Sequence, residues 1–157
     1  MTYKVDVLLS TFNGEKYLSD QIQSLIEQTY NDFLILIRDD GSCDATFSII
    51  QEFKSKYPKK IQIVETDDFT GSAKCGFFKL MEVSSSDYSF FCDQDDVWEK
   101  DKIERVMSCI ENLNKVNDPL LVHHDLRVVD ENLNIINDSF ADYQKLNCRH
   151  NSLNYLL

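Results

Sequence analysis

Short apolar runs alternate with longer stretches of helical period along this chain, and that alternation restricts the fold more than any other feature. Val5 to Leu9 reads as a first strand, and the recurrence of Leu18, Ile22, Leu25, Ile26 and Thr29 predicts an amphipathic helix over Glu15 to Thr29. Phe33 to Ile37 is a continuous apolar run, as expected for a strand covered on both faces. A helix with Phe47, Ile50 and Phe53 inward follows, then a third strand at Ile61 to Val64, a helix from about Gly71 to Val83, and a fourth strand at Tyr88 to Cys92. Ile103, Val106, Met107, Ile110 and Leu113 mark another helix, and Leu120 to Val122 reads as the start of a fifth strand. Beyond Asp125 a short hairpin is expected around Glu131 and Asn132, and the tail from Arg149 opens as a further helix.

Strand-helix-strand repetition implies a largely parallel sheet with right-handed crossovers and helices on both faces, an α/β domain of Rossmann-like layout. In such sheets ligands bind beyond the carboxyl ends of the strands. Three polar clusters fall on that edge: Ser10-Thr11-Phe12 after the first strand, Arg38-Asp39-Asp40-Gly41-Ser42 after the second, and Asp93-Gln94-Asp95-Asp96 after the fourth. The last cluster delivers three carboxylates within four residues. Like charges so close are costly unless solvent or a cation compensates. Hard divalent ions take oxygen ligands and commonly bridge carboxylates to a diphosphate, so the pattern points to a Mg²⁺ or Mn²⁺ site serving a phosphate-bearing ligand.

Other nucleotide sites are excluded by their signatures. Gly14 stands alone after the first strand, without a G-x-G-x-x-G, and no phosphate-loop motif occurs. A net charge of -11 argues against a nucleic-acid surface. The length of 157 residues fits one domain, no stretch is long enough to span a bilayer, and the five cysteines contain no C-x-x-C pair. Reduced thiols in a cytoplasmic protein are the expectation.

The segments Val7 to Gly14, Gln28 to Phe33, Arg38 to Ser42 and Asp93-Gln94-Asp95-Asp96-Val97-Trp98 resemble, in order and spacing, inverting family-2 glycosyltransferases of the GT-A fold. The likeness runs over roughly residues 4 to 140. The run from Cys92 to Trp98, with Gly71-Ser72-Ala73-Lys74 before it, is most similar to bacterial rhamnosyltransferase-type members that build capsule, O-antigen or other surface glycans. The resemblance implies a nucleotide-diphospho-sugar donor carrying UDP or dTDP, and a glycan or lipid-linked glycan acceptor. Ser10, Thr11 and Phe12 would flank the base, Asp40 would accept from the base imide with Asp39 in support, and Lys74 would reach the phosphates. Asp93 would lie near the ribose and Gln94 on the donor side. Asp95, with Asp93, would hold the cation, and Asp96 and Trp98 would shape the acceptor side. Cys75 stands where relatives often carry Asn. A location in the cytoplasm, at the inner face of the membrane, follows from the same likeness.

Each cluster also has a plainer reading. Asp39 to Ser42 suits a simple turn, Asp93 to Asp96 suits an acidic cap on the next helix, and Trp98 suits a core aromatic. His123 and His124 read as packed strand residues more readily than as metal ligands, and Asp125 could face the acceptor. Inverting transfer needs a general base, and no residue of the chain stands out as one; in the family it comes later, beyond Leu157. The chain therefore reads as a donor-binding portion cut short, whose alternative is a non-catalytic nucleotide-sugar-binding module. A receiver-like phosphoacceptor domain also uses clustered aspartates, but it wants its acidic pair after the first strand, where Ser10 and Thr11 stand.

Overall fold

Four apolar segments pair in register, and the order in which they do so decides where every later residue falls. Strands β1 (Val5–Thr11), β2 (Phe33–Asp39), β3 (Ile61–Ile63) and β4 (Tyr88–Cys92) form one parallel sheet in the order β3-β2-β1-β4. The computed structural model describes residues 4–65, 71–112 and 120–146, and the chain divides into two compact units, Met1–Leu113 and Asn114–Leu157. The sheet belongs to the first. Register sets Thr11 beside Asp39 and Leu9 beside Cys92. The polar residues that follow each strand therefore leave the sheet at one level.

Helices α1 (Leu18–Ile26), α2 (Thr46–Lys56), α3 (Ala73–Val83) and α4 (Lys102–Asn112) supply the two outer layers. Val7, Leu9, Ile35 and Ile37 pack against Leu18, Ile22 and Leu25 of α1, Ile50 of α2, and Ile103, Met107 and Ile110 of α4. The opposite face is smaller: Leu8, Leu36 and Val64 meet Leu80 of α3. Strand residues alternate in direction, so both faces of β1 and β2 are apolar and Val7, Leu8, Leu9, Ile35, Leu36 and Ile37 are all at most 1% exposed. This is the burial that continuous apolar runs predict.

The helix expected over Glu15 to Thr29 is shorter at both ends. Gly14 O accepts from the backbone of Tyr17 and Leu18, which makes residues 15–17 a turn leading into α1. On α1 the buried face also includes Gln21 and Ser24, with Gln28 just beyond it. Their amides and hydroxyl hold the segment between β4 and α4. Gln21 Nε2 donates to Cys92 Sγ, Ser24 Oγ accepts from Trp98 N (3.0 Å), and the Gln28 amide donates to Glu99 O (2.8 Å) while accepting from Ile103 N (3.2 Å). Gln28 thereby satisfies one of the orphan amides that open α4.

In the second unit, β5 (Val128–Val129) and β6 (Ile135–Asn137) form the expected antiparallel hairpin, followed by α5 (Phe140–Tyr143). Asp130 organises its turn, accepting from the backbone amides of Asn132 and Asn134 and from Asn134 Nδ2. The fifth strand expected at Leu120 to Val122 does not form. Those residues are non-helical, exposed and in no ladder, with Leu121 69% exposed; three apolar residues do not make a strand without a neighbour to share their backbone hydrogen bonds. The Asp67-Asp68 pair and the helix expected from Arg149 lie outside the described residues. Among the described residues no helix is long and apolar enough to cross a membrane.

Helix α3 passes close to the sheet at Gly76. A Cβ there would collide with Ser10 Oγ and lie 3.5 Å from Arg38 Nη1. Gly76→Ala should cost about 1–3 kcal/mol, the usual penalty of overpacking, read as a lower urea midpoint at unchanged m-value.

Candidate functional site

Backbone that leaves a parallel sheet loses its ladder partners, and at this edge neighbouring side chains replace them. The loop after β1 is braced from both flanks. On the β2 side, Asn13 N donates to Ser42 Oγ (2.8 Å), Asn13 Oδ1 accepts from Cys43 N (2.9 Å), and Gly14 N donates to Thr46 Oγ1 (2.8 Å). Glu15 and Asp44 exchange similar bonds, each accepting from a backbone amide of the other loop. On the β4 side, the Gln94 amide meets the backbone of Phe12 with both ends: Phe12 N donates to Oε1 (2.8 Å), and Nε2 donates to Phe12 O (3.0 Å).

Between these loops and the start of α3 lies a cleft of about 350 Å³. It is lined by Ser10, Thr11 and Phe12 from β1 and its loop, Asp40 from the end of β2, Gly71 to Ala73 at the entrance to α3, and Asp93, Gln94 and Asp95 after β4. Three clusters far apart in sequence thus share one cavity.

The two aspartates after β2 have different surroundings. Asp39 knits the turn, accepting from Thr11 Oγ1 (3.0 Å), Ser42 N (3.0 Å) and Ser42 Oγ (2.5 Å), while Gly41 supplies the positive φ of 80°. Asp40 is buried and faces the cleft. Its Oδ1 lies 2.6 Å from the Arg38 guanidinium, itself only 1% exposed, and its Oδ2 accepts from Gly71 N (2.8 Å). The plain-turn reading of this cluster fits Asp39, and the cleft takes Asp40. Arg38 is the partner that sequence reasoning missed; an arginine closing an apolar strand beside two aspartates was the available signal.

Asp93 is exposed, yet its carboxyl is held above the ordinary range, by partial desolvation first and by the nearby Asp95 charge second. Lys102, at the start of α4, opposes this shift. Its own pKa is lowered by burial, which the charges of Asp96 and Asp93 oppose, and its ammonium sits 3.7 Å from the centre of the Trp98 ring. Part of the compensation for the acidic cluster is therefore built into the chain. The acidic-cap reading fails on position, since α4 begins at Lys102, six residues after Asp96.

Trp98, expected on the acceptor side, is 4% exposed and packs on Phe90 with ring centres 6.0 Å apart. It is a core aromatic here, drawn inward by the Ser24 bond to its amide. Lys74 is exposed on the first turn of α3, and the cleft lining stops at Ala73. Asp96 is half-buried, outside the lining and near Lys102. Asp125, in the second unit, accepts from Ser139 Oγ and from the amides of Leu126 and Ala141, bonds that lower its pKa and mark it as a turn anchor. Cys43, Cys75, Cys92 and Cys109 are free thiols; burial pushes that of Cys92 up.

A parallel sheet, a cleft at its carboxyl rim and carboxylates lining that cleft define an α/β domain with one candidate site on one edge of the sheet. The glycosyl transferase family 2 model matches residues 6–152, and the chain belongs to that family. It is 39% identical over 105 residues to a dTDP-rhamnosyl transferase of Shigella flexneri, a match covering 65% of this chain and 36% of that one. Its fold is GT-A. It resembles the Staphylococcus aureus TarS domain solved with UDP (TM-score 0.63, 22% identity, 69% of this chain and 32% of that one). A mannosyltransferase from Pyrobaculum calidifontis solved with GDP-Man and Mn²⁺ aligns with TM-score 0.61 at 19% identity, covering 68% and 32%. The chain spans between 13% and 42% of the length of the curated relatives it matches, about two fifths for the Shigella protein and two others.

Removing one member of a buried ion pair strands the other charge. Arg38→Met should destabilise the first unit by about 3–5 kcal/mol, and Arg38→Met with Asp40→Leu should recover most of that loss, as followed by urea denaturation.

Proposed function

We propose that this chain is the donor-binding part of an inverting glycosyltransferase that moves a sugar from a UDP or dTDP carrier to a surface-polysaccharide precursor. One observation carries the reading: loops from three strands and the entrance of α3 line a single cleft that offers an apolar wall, a buried acceptor and two carboxylates. Phe12, 47% exposed at the cleft, offers a face for a base, flanked by Ser10 and Thr11. Asp40, fixed by Arg38, offers an oxygen to a base imide, with Asp39 holding the turn beneath it. The Shigella relative is named for a dTDP-sugar and the S. aureus neighbour was solved with UDP, which favours a pyrimidine carrier and a rhamnosyl-type transfer. A cytoplasmic location, at the inner face of the membrane, belongs to the same proposal.

The donor set suits a hard divalent ion. Among the described residues no three acidic, histidine or cysteine side chains gather as a ready-made cage, but Asp93 and Asp95 line the cleft and the Asp95 charge acts on Asp93. Mg²⁺ and Mn²⁺ are commonly bound by one or two carboxylates plus substrate phosphates, so Asp95, with Asp93, would hold the ion, as Mn²⁺ in the Pyrobaculum neighbour suggests. The bound ion would supply charge stabilisation for the departing diphosphate. Gly71 to Ala73, at the entrance to α3, complete the lining.

Calorimetry tests this. The chain should bind UDP or dTDP in the presence of Mn²⁺, and Asp95→Ala should abolish the metal-dependent part; unchanged affinity would remove Asp95 from the site. Asp40→Asn should weaken nucleoside monophosphate binding without metal about tenfold, and is preferable to Asp40→Ala because its amide oxygen still accepts from Arg38, with urea denaturation to check that the neutralised pair leaves the chain folded. Binding without sugar transfer would favour the non-catalytic module.

A further inference from the structure

We infer that Gln94 is a positioning residue, a clasp that sets the acidic segment after β4 at a fixed distance from the loop carrying Phe12. The inference rests on the donor-site reading above and deepens it, because a residue expected on the donor side, and lining the cleft, also binds the protein's own backbone.

Gln94 sits between the two carboxylates that line the cleft, and one end of its amide accepts while the other donates. Together the two bonds to Phe12 mimic a bridge between strands, made where β1 and β4 have already parted: the ladder between them ends at Leu9 and Cys92. The segment has anchors at Cys92 and Trp98, and Gln94 provides its cross-tie in between. The loop after β1 keeps its own anchors on the far side, at Ser42, Cys43 and Thr46. Loss of the clasp would therefore release Asp93 and Asp95 and leave the base wall in place.

Gly14 supports this assignment independently. It is buried, and it is absent from the residues of positive φ, so its backbone does not call for glycine. Space does. A Cβ at Gly14 would lie 2.5 Å from Gln94 Oε1 and 2.8 Å from its Cδ. Those atoms end a flexible side chain, which would swing away, breaking the clasp and sparing the fold. Gly14 is the slot in which the Gln94 amide rests.

A double-mutant cycle tests the inference. Gln94→Ala and Gly14→Ala should each weaken Mn²⁺-dependent binding of UDP or dTDP about tenfold, equivalent to about 1.4 kcal/mol. Binding of UMP or dTMP without metal should stay within about twofold. In the Gln94→Ala background, Gly14→Ala should add less than about twofold. Additive losses, or equal losses with and without metal, would overturn the clasp. A thermal-unfolding cycle on the same four proteins stands apart from any ligand: Gly14→Ala should lower Tm with Gln94 present and not with Ala at 94, and equal drops in both backgrounds would overturn it as well. If the parent chain binds none of these nucleotides, the donor-site reading fails and the unfolding cycle alone judges the clasp.

Discussion

Everything at the cleft depends on β1 lying inside the sheet. It is paired in parallel on both flanks, so its last residues emerge between two other strand ends, and the loop that follows has neighbours on either side. Parallel pairing leaves the outgoing backbone of each loop unsatisfied at one rim, and the chain answers with side chains. Asn13, Ser42, Asp44 and Thr46 bind backbone on one side, and Gln94 on the other. The cleft is what remains between loops that are first required to satisfy one another.

The second constraint is charge. A chain of net charge -11 gathers aspartates at one rim, and two basic residues offset them locally. Arg38 lies under Asp40 from within the sheet, and Lys102 lies behind Asp93 and Asp96 against the Trp98 ring. Asp93 and Asp95 line the cleft, and under the proposed function they are the carboxylates that would meet an external cation.

Much of this was legible in the sequence. Periodicity located all four strands of the sheet and the four helices around it to within a few residues, and the rule for parallel sheets put the three polar clusters on one edge. What escaped was of two kinds. Polar residues on α1 hid inside an amphipathic pattern: Gln21, Ser24 and Gln28 interleave with Leu18, Ile22 and Leu25, and only the packed structure shows that their partners lie some seventy residues away. Direction also escaped. Motif position could not tell that Trp98 turns inward, that Asp39 and Asp40 divide a structural and a cleft-facing role, or that Leu120 to Val122 joins no strand among the described residues.

The polar face of α1 has a consequence for anyone wishing to transplant this pocket. Copying the three loops onto another parallel sheet would carry the chemistry but only part of its scaffold, because the acidic segment is moored to the first helix as well as to the loop after β1. An idealised helix with leucines at 21, 24 and 28 would pack well and leave the Gln94 bonds as that segment's remaining tie. A portable version of the cleft has to include the helix beneath it.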